Sequence, residues 1–194
     1  MRSIYRVLFV LSLIFLIQCS ENKHEVSENQ LAGMRETAMD YMKELKGVLI
    51  EQIQTGGVLQ AVSVCSDTAQ ILTNEFGLSK GLFIRRVSLK NRNTNNYPDD
   101  FEKGVLNRFQ LLHQNNELTS ETEYAEITTE DDIKYLRYLK PIVVQAECLN
   151  CHGNESDVMP EVNKLITQKY PDDKAKGYKT GDLRGAVSIK TAIE

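Results

Sequence analysis

The chain predicts an α+β fold, on three observations. Its first third carries apolar residues at helical spacing. Residues 81–89, 123–144 and 183–193 are instead rich in β-branched and aromatic side chains, and turn-forming residues stand between them. With 194 residues, 41% of them hydrophobic and 26% charged, the chain is long enough for one domain with its own core, and the composition is that of a globular protein.

Residues 1–18 read as an address rather than as part of the fold. Arg2 and Arg6 precede an apolar run from Val7 to Ile17, and Leu16-Ile17-Gln18-Cys19 stands where a lipoprotein signal is cut before its cysteine. The run is too short to cross a bilayer as a helix. Cys19 is therefore the candidate lipidation site, with a plain secretory signal or an uncleaved anchor as the alternatives. Each reading puts the rest of the chain outside the cytoplasm. A lipid on Cys19 would hold it at the periplasmic side of a bacterial membrane. Residues 19–28 form a polar tether, in which His24 reads as an exposed residue, and residues 29–194 form the domain.

The domain opens on Ser27 and Gln30, which have the form of a capping box. From there Leu31, Met34, Ala38, Tyr41, Met42, Leu45, Val48, Leu49 and Ile53 recur on one face of a long helix, stopped by Gly56-Gly57. Its methionines read as core rather than as ligands. A second helix is predicted from Val58 to Phe76, ended by Gly77, with Cys65 on its inward face between Ala61 and Ala69. Cys65 is either a small buried hydrophobe or part of a flat surface that a planar group can approach. Residues 81–89 read as a strand, followed by a turn-rich loop to Pro98. A helix is expected from Asp100 to His113, and strands from Tyr124 to Thr129 and from Tyr135 to Val144, the latter ending near Pro141. A helix from Pro160 to Tyr170, a polar loop and a closing strand from Leu183 to Ile193 complete the chain.

Cys148-Leu149-Asn150-Cys151-His152 carries the strongest chemical signal. Two thiols separated by two residues can each add to one vinyl group of a porphyrin, and the adjacent histidine then lies under the iron as an axial ligand. A thioredoxin-like dithiol needs no histidine there and usually follows the first strand of a βαβ unit. A structural zinc site needs a second ligand pair, and neither Cys65 nor His113 supplies one. A disulfide across so short a loop is cramped. The motif thus predicts one covalently attached haem c, with Cys148 and Cys151 as attachment residues and His152 as an iron ligand. With Cys19 assigned to lipid, Cys65 remains as an unpaired thiol in an exported chain. His113 is a second candidate for the iron, although a histidine at a helix C-terminus commonly just complements the dipole. Arg85, Arg86 and Arg92 are candidate partners for the haem propionates, because guanidinium forks suit carboxylates. A solvated basic edge is the alternative for each. Lys and Arg number 23 against 27 Asp and Glu, and loss of the signal removes two arginines more, so nucleic acid is a poor partner.

Several segments taken in order resemble a known family. They are Ala61-Val62-Ser63-Val64-Cys65-Ser66; Ile84 to Asn93 with Asn96 and Pro98; Leu139-Lys140-Pro141 leading into Cys148 to Gly153; Tyr170-Pro171-Asp172; Gly177-Tyr178; Gly181-Asp182; and Arg184-Gly185-Ala186. They are similar to exported or periplasmic c-type haem domains of PAS-like fold, first described as a domain of unknown function and typified by a cyanobacterial c-type haem protein. The resemblance implies a PAS-like antiparallel sheet with long N-terminal helices, and an iron bound by the motif histidine and, unusually, by a cysteine. Those roles fall on His152 and Cys65, and Tyr178 joins Arg86 and Arg92 as a candidate cofactor-binding residue.

A thiolate opposite an imidazole favours ferric iron and a low reduction potential. The first expectation is a haem-based redox or diatomic-gas sensor that signals to a separate protein partner. The alternative is a membrane-tethered, low-potential electron carrier. A haem enzyme needs an open iron site with distal acid and base groups, for which His113 is the one candidate, and so ranks last.

Overall fold

The structure, a computed structural model, describes residues 25–193. The signal, Cys19 and His24 lie outside the described residues. Helix α1, Glu28–Lys80, begins on the expected capping box: the Ser27 hydroxyl accepts the Gln30 N–H at 3.3 Å, and Gln30 Oε1 accepts the Ser27 N–H at 3.0 Å. At Gly57 the backbone leaves helical geometry, with φ 77° and ψ 178°, a conformation that glycine alone adopts without strain. The chain folds back there. Tyr41 and Thr73, equidistant from Gly57, share a hydroxyl hydrogen bond of 2.7 Å, and the Tyr41 and Phe76 rings meet with centroids 5.4 Å apart. In an unbroken helix Tyr41 and Thr73 would be about 48 Å apart. α1 is therefore an antiparallel hairpin, with a first arm over 28–56 and a second over 58–80, as the glycine pair suggested.

The second arm runs past Gly77 to Lys80 and is capped by Gly81 in the left-handed region. Gly77 serves packing instead: a Cβ there would lie 2.7 Å from the Leu82 carbonyl oxygen, so only a bare backbone fits beside the turn into the sheet.

Four strands follow, β1 (Phe83–Val87), β2 (Tyr124–Glu130), β3 (Ile133–Val143) and β4 (Leu183–Ile193), with helix α2 (Asp100–Gln114) between the first two. They form one antiparallel sheet in the order β1-β4-β3-β2. β3 runs through Pro141, which its missing N–H would forbid in a doubly paired position. Pairing with β2 reaches only to Leu139, so Pro141 has a neighbour on one side alone.

Alternation along the strands splits the core into two layers. Ile84, Tyr138, Val187 and Ile189 face the hairpin, meeting Ala38, Tyr41 and Phe76. Val87, Leu139 and Ala186 face α2, meeting Val105, Leu106 and Phe109. Arg35 pins the first arm to the sheet by donating to Glu123 from Nε at 2.9 and 3.0 Å, and Tyr138 donates to the same carboxylate at 2.8 Å. The sheet is thus covered on both faces by helices, the α+β architecture that the apolar spacing predicted.

Beyond β3 the chain enters a short 3-10 turn, Ala146–Cys148, then helix α3 (Leu149–His152) and helix α4 (Pro160–Lys169). Val162 and Ile166 of α4 pack with Val158 and with Val62 of the second arm, and Lys169 bonds Asp67 at 2.8 Å. α4, α3 and the tip half of the hairpin make a subassembly beside the sheet rather than on it. Among the described residues no helix is long and apolar enough to cross a membrane.

Candidate functional site

Cys148 and Cys151 lie three positions apart across the start of α3, so their thiols share one face of a single helical turn. Cys65, Cys148 and Cys151 are all free thiols, so no disulfide occupies the motif. Among the described residues no group of three or more His, Cys, Asp or Glu side chains gathers where an ion could be held.

His152 ends α3 with its ring fixed. Nδ1 lies 2.8 Å from the Ala175 carbonyl oxygen; a carbonyl can only accept, so Nδ1 carries the proton and Nε2 keeps its lone pair. The Tyr178 ring meets the imidazole edge-on, at 89° and 6.4 Å between centroids. The loop that supplies both groups is bonded to the motif backbone: Tyr178 N–H donates to His152 O at 3.0 Å and Gly177 N–H to Gly153 O at 2.9 Å. Burial pushes the His152 imidazole well below its ordinary value. Arg184, Arg92 and Arg86 push the same way, against the Ala175 bond. A half-buried, neutral, oriented imidazole is the form that binds a metal.

The second arm of the hairpin closes over this turn. Val62, one turn before Cys65, packs in the same apolar cluster as Cys151, with Val58 and Leu165 at its margin. Burial raises the Cys151 thiol, Arg92 draws it down, and the neighbouring Cys65 and Cys148 thiols push it up again. The Cys65 thiol is raised by burial and drawn down by Arg86. Cys65 and the motif, distant in sequence, therefore share one electrostatic neighbourhood.

The candidate arginines divide by strand geometry. Arg85 faces α2, where it donates to the Tyr97 carbonyl and lies 3.7 Å from Glu102. Arg92 is engaged by the protein, donating to Cys151 O at 2.5 Å and Ala175 O at 3.3 Å and pairing Asp173 at 3.1 Å. It braces the motif against the loop. Arg86 is different: its Nε is buried without a hydrogen-bond partner, and no described carboxylate pairs with its guanidinium. A half-buried guanidinium left in this way asks for an anion. Arg92 Nε is also orphaned. Three guanidiniums around a neutral imidazole, with Asp173 as the nearby carboxylate, suit a planar group carrying carboxylates.

His113 stands apart, on the α2 side, with Nε2 at 3.0 Å from the Gly181 carbonyl. Met159 is 44% exposed at the start of α4. Neither joins the thiols. Two parts of the site were not foreseen: the Ala175 carbonyl, which any residue type supplies, and Arg184, whose charge bears most strongly of the three arginines on His152. The Gly177-Tyr178 pair was the one available sign that this loop returns to the motif.

An antiparallel sheet covered on both faces, a helical hairpin and a dithiol-histidine turn beside its second arm define an α+β domain with one thiol-imidazole cluster at the hairpin. The chain belongs to the Tll0287-like family, whose model matches residues 21–192. Among solved structures it is similar to the cyanobacterial heme-protein Tll0287, with 26% identity, a TM-score of 0.60, and coverage of 87% of this chain and 98% of that one. Among curated proteins no relative matches.

Proposed function

We propose that the chain is an exported c-type haem protein that senses redox state or a diatomic gas. Cys148 and Cys151 each add S–H across a porphyrin vinyl group, giving two thioethers with no leaving group. His152, through Nε2, and Cys65 are the residues that would hold the iron. The observation that carries this reading is the His152 Nδ1–H bond to Ala175 O, which leaves Nε2 free beside two unpaired thiols on the same turn. The similarity to a protein described as a heme-protein supports it.

Arg86 takes a propionate, since no described carboxylate pairs with its guanidinium, while Arg92 and Tyr178 hold the motif and its loop in register. The bound haem supplies a one-electron couple. A thiolate ligand would hold that couple low, and Cys65 is the residue whose bond would weaken with the iron reduced. Because Cys65 rides on the second arm, its release is felt along the hairpin to Tyr41 and the first arm. Cys19 carries the lipid that keeps the domain at the membrane, within reach of a separate protein that reads the hairpin.

The test begins with protein matured in a host with working cytochrome c assembly. Its mass should exceed that of the bare chain by one haem, and Cys148→Ala with Cys151→Ala should abolish the increment. The ferric protein should be low-spin, and Cys65→Ala should change its absorption and paramagnetic resonance spectra. An unmodified mass rejects the haem. An unchanged spectrum in Cys65→Ala removes that cysteine from the iron. Retention of both ligands on reduction, without carbon monoxide binding, makes the protein an electron carrier instead.

A further inference from the structure

A second concavity lies behind the motif histidine. It is a cleft of about 220 Å³ between α2 and the neighbouring ends of β1 and β4, and neither the three thiols nor His152 line it. Tyr178 stands between the two regions, lining the cleft while its ring meets His152 edge-on. Two cations hold that ring: the Lys90 ammonium lies 4.4 Å from its centroid and the Arg184 guanidinium 5.4 Å.

The cleft is built for negative charge. Arg184 donates only to neutral oxygens, to Ser88 Oγ at 2.9 Å and to Lys90 O at 3.2 Å, and Lys90 Nζ donates to the Lys176 carbonyl at 2.8 Å. His113 adds a polar ring on the α2 wall. The one carboxylate on the lining, Asp182, already accepts the Lys179 N–H at 2.7 Å. A half-buried guanidinium and an exposed ammonium thus lie over one ring with no carboxylate paired to either, an arrangement that favours an anion beside them. The remaining wall is apolar, from Leu106 and Leu183, with the Gly177 and Gly185 backbones letting a ligand come close. Polar groups at one end of a small apolar recess fix the head of a ligand and accommodate a short tail.

We propose that this cleft is a binding site for a small organic carboxylate, its head on Arg184 and Lys90 and its short hydrocarbon body against Leu106 and Leu183. The cleft shares Arg184 and Tyr178 with the surroundings of His152 but does not require the haem reading. If that reading holds, the ligand sits one aromatic ring behind the iron's histidine, against the loop bonded to His152 and Gly153.

Calorimetric titration of the mature full chain with propanoate tests this, using haem-loaded protein and protein expressed without haem maturation, each verified by mass. Saturable binding is expected in both. Lys90→Gln should weaken it about ten-fold or more, and Gln110→Trp, which fills the cleft from the α2 surface without touching its cations, should abolish it. Inorganic phosphate should bind more weakly, having no apolar body. The proposal fails if wild-type protein takes up no propanoate, or if both variants bind as the wild type does. It also fails if phosphate equals propanoate, which would make this a general anion site. Binding confined to protein without haem would assign the cleft to the porphyrin's own carboxylates and likewise overturn it. None of these results bears on whether Cys148 and Cys151 carry haem, which the mass alone reports.

Discussion

Gly153, directly after the motif histidine, shows how narrow the tolerances around α3 are. Its φ of −68° is open to any residue, yet a Cβ there would lie 2.8 Å from the Leu149 carbonyl oxygen and 2.8 Å from the Asp157 Cβ. Gly153→Ala should cost about 1–3 kcal/mol through this crowding, read as a lower melting temperature, and should reduce the fraction of protein that acquires haem. Arg86 makes a separate prediction. If haem is held as proposed, removing a positive charge near its iron would favour the ferric state, so Arg86→Gln should keep both thioethers while moving the reduction potential to a more negative value, by about 1 kcal/mol. An unchanged potential would place Arg86 away from the propionates. The reactive side chains at this scale were legible because chemistry restricts them to a few residue types at a fixed spacing, as in Cys148 to His152. Their supports were not. Ala175 acts through its backbone carbonyl and Arg184 arrives from a bulged strand, and nothing local to 148–152 points to either; Tyr178 was named only through the family resemblance.

At the scale of elements the hairpin turn at Gly57 carries the largest conformational constraint. An L side chain at φ 77° and ψ 178° is strained whatever space surrounds it, so Gly57→Ala should destabilise the protein by about 1–3 kcal/mol. A melting curve indistinguishable from the wild type would show that the turn can relax. The glycine pair also explains what the sequence could and could not show. Apolar periodicity, the Ser27 cap and the break at Gly56-Gly57 are local signals, and each was legible. Gly77 carried the same letter for another reason, a close contact with Leu82 that forms only once the arm meets β1, and so helix end and packing glycine were confused. Strand limits moved by a residue or two, as at Ile133, because pairing partners rather than composition end a strand.

The first arm adds a pH-dependent tie. Burial alone would raise the Glu123 carboxyl, but hydrogen bonds from Arg35 and Tyr138 outweigh it and hold the group below the usual carboxylate range. A depressed folded value means that the carboxylate contributes stability above its unfolded pKa, and that the contribution is lost as pH falls through the folded one. Wild-type protein should therefore lose melting temperature on acidification below the ordinary carboxylate range more steeply than Glu123→Gln does. Parallel pH profiles for the two proteins would show that this tie contributes nothing.

Across the whole molecule the two cores differ in how well they are closed. The sheet is covered on both faces, whereas the tip half of the hairpin rests on the small Val62, Val158, Val162 and Ile166 cluster and on ion pairs such as Lys46 with Glu147 at 2.5 Å and Lys169 with Asp67. Exposed ion pairs of this kind add little. A cofactor that binds only the folded state stabilises it by mass action, and one bonded both to Cys65 and to the motif ties together distant parts of the chain. Haem-free protein should accordingly be cut by a broad-specificity protease near Gly56-Gly57 under conditions in which the loaded form survives. Equal cleavage of the two forms would show that the tip is secured without the cofactor.

The fold-back at Gly57 thus has a cellular consequence. If the domain carries haem as proposed, the cofactor would add a bond between the second arm and the motif turn to the Val62 cluster and the surface ion pairs that already hold the tip, and copies without it would be the more readily cleared by proteases.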